Sequence, residues 1–174
     1  MKAWSGLVAR LVVGAVWIWA GAIKLPDPAA SVQAVRAYQL LPSSIVATVG
    51  QLLPVVEVVI GVCLVLGVLT RGAGVLSSLL LVAFVVGVAS VWARGIEIDC
   101  GCFGGGGARA GAAAAYPWEI ARDVALLALS AYVAWLPRTR LALEDRLFAR
   151  PTVLTRPDPG PHPHDLTHDR GAPR

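Results

Sequence analysis

Two cysteines separated by a single glycine are the residues best suited to chemistry in this chain. They lie in Asp99-Cys100-Gly101-Cys102-Phe103-Gly104, a stretch that continues through Gly105, Gly106 and Gly107. A glycine between two cysteines lets the backbone take angles that bring the sulfurs together, because glycine has no Cβ to forbid them. The ring closed by such a disulfide is small and strained, and strained disulfides are more oxidising and more readily reduced. Outside the cytoplasm a thiol pair either persists as a disulfide or exchanges through dedicated relays. Three readings follow for Cys100 and Cys102: a redox-active pair, a structural disulfide that pins a loop, or a metal site. The redox reading is favoured. Zinc commonly takes four ligands, and Glu97 and Asp99 are the neighbours on offer, so no metal is expected. The third cysteine, Cys63, stands among Val, Leu and Gly, where a thiol acts as a small hydrophobe. The glycines after Phe103 lack the Gly-Lys-Ser or Gly-Lys-Thr of a phosphate loop, and flexibility beside the thiols explains them better.

Glu57 is the second residue of interest. Between Leu40 and Ala93 it and Arg71 are the fully charged residues, and Pro54 precedes it by one helical turn. A carboxylate inside a membrane helix is expensive, so it is paired or functional. Lys24 ends one apolar run, and Arg122 with Asp123 opens another. Lys24, Glu57, Arg122 and Asp123 are therefore expected to form an intramembrane polar cluster, with Arg122 and Asp123 also able to pair locally. Structural ion pairing is favoured over direct catalysis.

The elements that position these residues are apolar helices. The chain has 174 residues, of which 56% are hydrophobic and 15% charged, with a mean hydropathy of +0.67. That excludes a disordered chain and disfavours a water-soluble globule. A spanning helix needs about 20 apolar residues, and such runs occur at 7–23, 45–69, 73–92 and 118–136. The last is weakest, because Glu119, Arg122 and Asp123 fall in its first two turns. Trp4, Trp92, Trp118 and Trp135 fall at or near run ends, as in an interfacial aromatic belt. The fold expected is an all-α, integral membrane four-helix bundle.

The net charge is +4, and most cations flank the apolar runs, which points to membrane orientation and not to nucleic acid. Lys2, Arg10, Arg71, Arg138, Arg140, Arg146 and Arg150 fall on one side of a four-span topology, and Lys24, Arg36, Arg94 and Arg109 on the other. The imbalance puts both termini in the cytoplasm and the Cys100/Cys102 loop outside it. Lys2 with a following apolar run that ends Ala20-Gly21-Ala22 also looks like a secretory signal, but its length favours an uncleaved helix. The membrane domain covers 1–136. Residues 137–150 read as a basic juxtamembrane segment. Residues 151–174, rich in Pro and holding His162, His164 and His168, read as a disordered cytoplasmic tail.

Several of these motifs together resemble a known family. They are Gly21-Ala22-Ile23-Lys24-Leu25-Pro26-Asp27-Pro28, Leu53-Pro54-Val55-Val56-Glu57 with Gly61, the Cys100-Gly101-Cys102-Phe103-Gly104 element, and Arg122-Asp123. The pattern is similar to the methylamine utilisation protein MauE family, itself related to DoxX-like four-helix membrane proteins. The resemblance covers about residues 5–136. It implies a membrane protein that serves redox maturation of extracytoplasmic proteins, with an extracytoplasmic thioredoxin-like partner. On the matching motif Cys100 and Cys102 are expected to be the catalytic redox pair; the function favoured is a membrane thiol–disulfide relay between that partner and an acceptor in the membrane, for which a quinone is one candidate. Two other readings stay open: a non-catalytic membrane scaffold with a structural loop disulfide, and a small-molecule carrier that uses Glu57.

Overall fold

The computed structural model describes residues 2–135, with side chains from residue 4 onward. The basic segment 137–150, the Pro-rich tail 151–174 and its three histidines lie outside the described residues. Five α-helices carry most of the described chain: α1 (Lys2–Lys24), α2 (Pro28–Ala37), α3 (Ser43–Leu66), α4 (Thr70–Ala93) and α5 (Tyr116–Trp135). A two-stranded antiparallel ribbon, β1 (Ile98–Asp99) with β2 (Gly107–Ala108), and a 3₁₀ turn (Ala112–Ala114) join α4 to α5.

α1, α3 and α4 are long and apolar enough to cross a membrane, judged by length and composition. α5 is a continuous helix of 20 residues, but Glu119, Arg122 and Asp123 in its first half keep it out of that class. The outward faces are apolar. Val8, Leu52, Val55, Val59, Leu79 and Val86 are each roughly half exposed or more. In water each would forfeit roughly 25 cal/mol per Å² of apolar surface, whereas lipid tails accept them without penalty. Trp4, Trp118 and Trp135 are exposed near helix ends, where an amphipathic ring suits a membrane interface.

Inside, the long helices pack pairwise, α1 along α3 and α4 along α5, with α1 also against α5 and α3 against α4. Lipid supplies no hydrophobic drive between helices, so close backbone approach has to provide the contact. Gly61 shows this plainly. A Cβ there would come within 2.7 Å of the Gly14 carbonyl oxygen and 2.8 Å of the Ile18 nitrogen. Polar side chains add a buried link: the Trp17 indole donates to Ser77 Oγ at 2.6 Å, and Ser77 Oγ lies 2.9 Å from Ser130 Oγ. The link joins α1, α4 and α5. Ala9, Val13, Trp17, Ile60, Leu64, Ala73, Leu81 and Val133 fill the core around it, and Cys63 packs against that core as a half-buried thiol. Arg10, counted above as a flank cation, is instead buried inside the helices. This narrows the charge imbalance behind the orientation.

One end of the molecule gathers the candidate site. The C-termini of α1 and α4, the N-termini of α3 and α5, helix α2 and the ribbon all meet there. Helix α2 falls in the connection between the first two apolar runs. Asp27 caps it by accepting from the Ala30 N–H at 3.0 Å, and Pro28 opens its first turn. It lies against α3 and, with the cysteine loop, forms a lid over the ends of the long helices.

Candidate functional site

The ribbon holds the two cysteines. Ile98 pairs with Ala108 and Asp99 with Gly107, so residues 100–106 form the loop between the strands. One tyrosine fixes its base: the Tyr116 hydroxyl accepts from the Ile98 N–H at 2.8 Å and lies 2.9 and 3.0 Å from the Ile96 and Ile98 carbonyls, to which it donates. A second tyrosine fixes its start, as the Tyr38 hydroxyl donates to the Cys100 carbonyl at 2.9 Å. Burial pushes the Tyr38 phenol well above its ordinary value, so it stays a neutral donor. Between the cysteines, Gly101 has φ +68°, and a Cβ there would come within 2.8 Å of the Ala34 Cβ on α2. Glycine meets both demands at once.

Cys100 and Cys102 are free thiols, 9% and 8% exposed. The Cys102 N–H lies 3.4 Å from the Cys100 sulfur. The two thiols are not equivalent. A hydrogen bond from the Cys102 thiol stabilises the Cys100 thiolate and holds its pKa below that of an ordinary thiol. That same hydrogen bond, together with burial, pushes Cys102 well up. Of the two, Cys100 is therefore the more acidic thiol. Phe103 turns its ring under the Arg122 guanidinium, 4.5 Å from the ring centroid, and so ties the loop to α5.

Of the charged residues expected to cluster, the structure brings Lys24 and Glu57 into direct contact. Lys24 Nζ donates to Glu57 Oε1 at 2.7 Å and Oε2 at 2.9 Å, with the Glu57 side chain fully buried. Arg122 pairs with its neighbour Asp123 at 2.9 Å and not with Glu57. Asp123 is nonetheless 3% exposed and turns its second oxygen, Oδ2, away from that pair without a hydrogen bond. It shares the wall of a cavity of about 20 Å³ with Glu57, Cys102, Trp17 and Phe84. A water molecule needs roughly 10–15 Å³ of such space. The lining of this cavity is almost wholly apolar, however, so the space lacks the polar partners that an ordered water requires.

A second, larger cavity of about 260 Å³ opens on the other side of the cysteines, between α2, α3, α4 and the loop. Both thiols line it, with Lys24, Tyr38, Phe84 and apolar side chains such as Leu53 and Leu80. Cys102 thus borders both cavities. A ligand atom from each of Asp99, Cys100 and Glu119 also falls within 4.8 Å of the others. Three donors are fewer than the four that structural zinc takes, and Asp99 is already engaged by Arg109 at 3.2 Å.

Sequence reasoning passed over Tyr38 and Tyr116, and named Phe103 only within the cysteine motif and Glu119 only as a charge in the fourth apolar run. A tyrosine earns notice when its hydroxyl is buried with partners, and that depends on contacts 20 and 62 residues away. Tyr116 beside Pro117 at a helix start is the one local hint.

Apolar helices of spanning length, an apolar exterior and a buried ion pair between α1 and α3 define an integral membrane protein. The chain belongs to the methylamine utilisation protein MauE family, whose pattern residues 2–136 match. No curated protein and no solved structure matches it.

Proposed function

We propose that this membrane protein of the methylamine utilisation family is a thiol–disulfide relay component. It takes two electrons from an extracytoplasmic thioredoxin-like partner and passes them to a carrier in the membrane. The observation that carries the reading is the pair itself: two free, largely buried cysteines flank Gly101, with the Cys102 N–H 3.4 Å from the Cys100 sulfur and Cys100 the more acidic thiol. α5 completes a four-helix bundle as a fourth span, with its charged first turns covered by the cysteine loop. Both termini then face the cytoplasm and the loop faces outward, in keeping with the flanking cations.

In the oxidised state a partner thiolate attacks the sulfur of Cys100, the S–S bond breaks, and Cys102 leaves as a thiolate that takes up a proton. The partner's second thiolate then attacks the mixed disulfide and releases Cys100. The partner leaves as a disulfide, and the loop holds the dithiol. Glu57 fits the carrier reading less well, because Lys24 occupies both of its oxygens. The burial of both thiols favours the scaffold reading as the alternative, since a structural disulfide has no need of access. Trapping separates the two. Cys102→Ser should leave a reducible complex with a thioredoxin-fold protein on a non-reducing gel, and the Cys100→Ser/Cys102→Ser protein should leave none. A protein that traps nothing with either single replacement, and whose pair stays oxidised in cells, would leave the scaffold reading in its place.

A further inference from the structure

We infer that the cavity of about 260 Å³ beside the two thiols binds the ring of a lipid-soluble quinone, which takes the electrons of the reduced pair. The inference deepens the relay reading and rests on it. Three observations carry it. First, both cysteines are largely buried from solvent yet line the cavity, so an electron acceptor seated there lies beside the pair. Second, the size and lining select the acceptor. The volume lies just under the roughly 300–1,000 Å³ of pockets that enclose drug-sized ligands, which suits a single substituted ring and not a dinucleotide. Lys24 is the one cation among the lining residues, and Glu57 already neutralises it, so nothing there would hold a phosphate. Third, the wall offers what a quinone uses. Phe84 and Tyr38 supply aromatic faces. The Lys24 ammonium has three N–H donors, two of them on Glu57, which leaves one for a ring carbonyl. Leu40 and Leu41, half exposed at the rim, leave an apolar way out for an isoprenoid tail.

The reaction balances. The S–H bonds of Cys100 and Cys102 break and the S–S bond forms. The electron pair passes to the ring, and its two oxygens each gain a proton, giving the hydroquinone.

The test uses the full chain in phosphatidylcholine nanodiscs, reduced and freed of reductant, then mixed with decylubiquinone. Loss of quinone absorbance should match the conversion of the Cys100/Cys102 dithiol to the disulfide. Ala83→Trp places a bulky ring in the cavity wall, and KM for the quinone should rise by about tenfold or more. Oxidation of the same variant by diamide should keep the wild-type rate. An azidoquinone should label peptides of α2 and α4 in the wild-type protein, which decides the matter if Ala83→Trp fails to fold. Absence of quinone reduction, an unchanged KM in folded Ala83→Trp, or labelling confined to lipid-facing helix surfaces would overturn the site. The relay reading fails separately: normal quinone reduction with no trapped partner in Cys102→Ser would remove the relay and leave the site standing.

Discussion

Replacing Glu57 by leucine should strand the Lys24 ammonium inside the protein, and the cost can be sized from the geometry. Nζ sits 2.7 Å from one carboxylate oxygen, the carboxylate side chain is 0% exposed and the lysine side chain 8%. At an effective dielectric of about 20, unit charges at that separation attract by about 6 kcal/mol. Most of this offsets the desolvation of both groups, so the intact pair adds little net stability. Removing one partner is different, because the remaining charge keeps its desolvation cost with nothing to offset it, about 3–5 kcal/mol. Lys24→Met should cost a comparable amount. The double replacement, Lys24→Met with Glu57→Leu, removes both charges and should cost far less than the two singles combined. The assay is reversible unfolding in mixed detergent, followed by tryptophan fluorescence and assembled as a double-mutant cycle. Single replacements within about 0.5 kcal/mol of wild type, or costs that simply add, would refute the buried-pair account.

Further outcomes follow from the same coordinates. In a Cys63→Ser background, alkylation of Cys100 by iodoacetamide should inflect at a pH below that of an ordinary thiol, since a lowered pKa keeps the thiolate populated as pH falls. Cys102→Ala, which removes the donor, should move that inflection upward, and an unmoved profile would contradict the hydrogen-bonded pair. Gly61→Ala should cost about 1–3 kcal/mol in the same unfolding assay by forcing α1 from α3. Gly72→Ala, where a Cβ meets nothing within 4 Å, should be neutral or stabilising by up to about 1 kcal/mol. Tyr116→Phe should leave the buried Ile98 N–H without its acceptor at a cost of about 1–3 kcal/mol. It should also speed alkylation of Cys102 as the loop opens, and equal rates in the two proteins would count against the clamp.

Much of this arrangement was legible in the residues themselves, and what was hidden had physical reasons. Cys100 and Cys102 announce themselves by spacing, and Glu57 by its presence in an apolar run. That Glu57 meets Lys24 and not Arg122 depends on how α1 rotates against α3, which Gly14 and Gly61 set by close approach. Arg122 is claimed locally by Asp123, a pairing already open in the sequence. α2 carried a readable signal in Asp27-Pro28, an N-cap followed by proline at the first helical position, but its ten residues are too short to stand out beside spanning runs. The ribbon was harder still, because two-residue strands rich in glycine carry no periodicity. The inequality of the thiols and both cavities belong to tertiary packing, and no spacing in the chain encodes them.

The pairing of Lys24 with Glu57 also sets a schedule for biogenesis. The partners are 33 positions apart, so the lysine is synthesised well before the carboxylate that neutralises it. At about 5–20 residues per second, the ribosome needs about 2–7 s to add the intervening chain. Through that interval the first helix carries a cation at one end without its carboxylate partner. Until α3 is beside it, headgroups, water or the insertion machinery have to solvate that ammonium. A chain stalled between the two helices would accordingly carry an unpaired lysine that the finished protein does not.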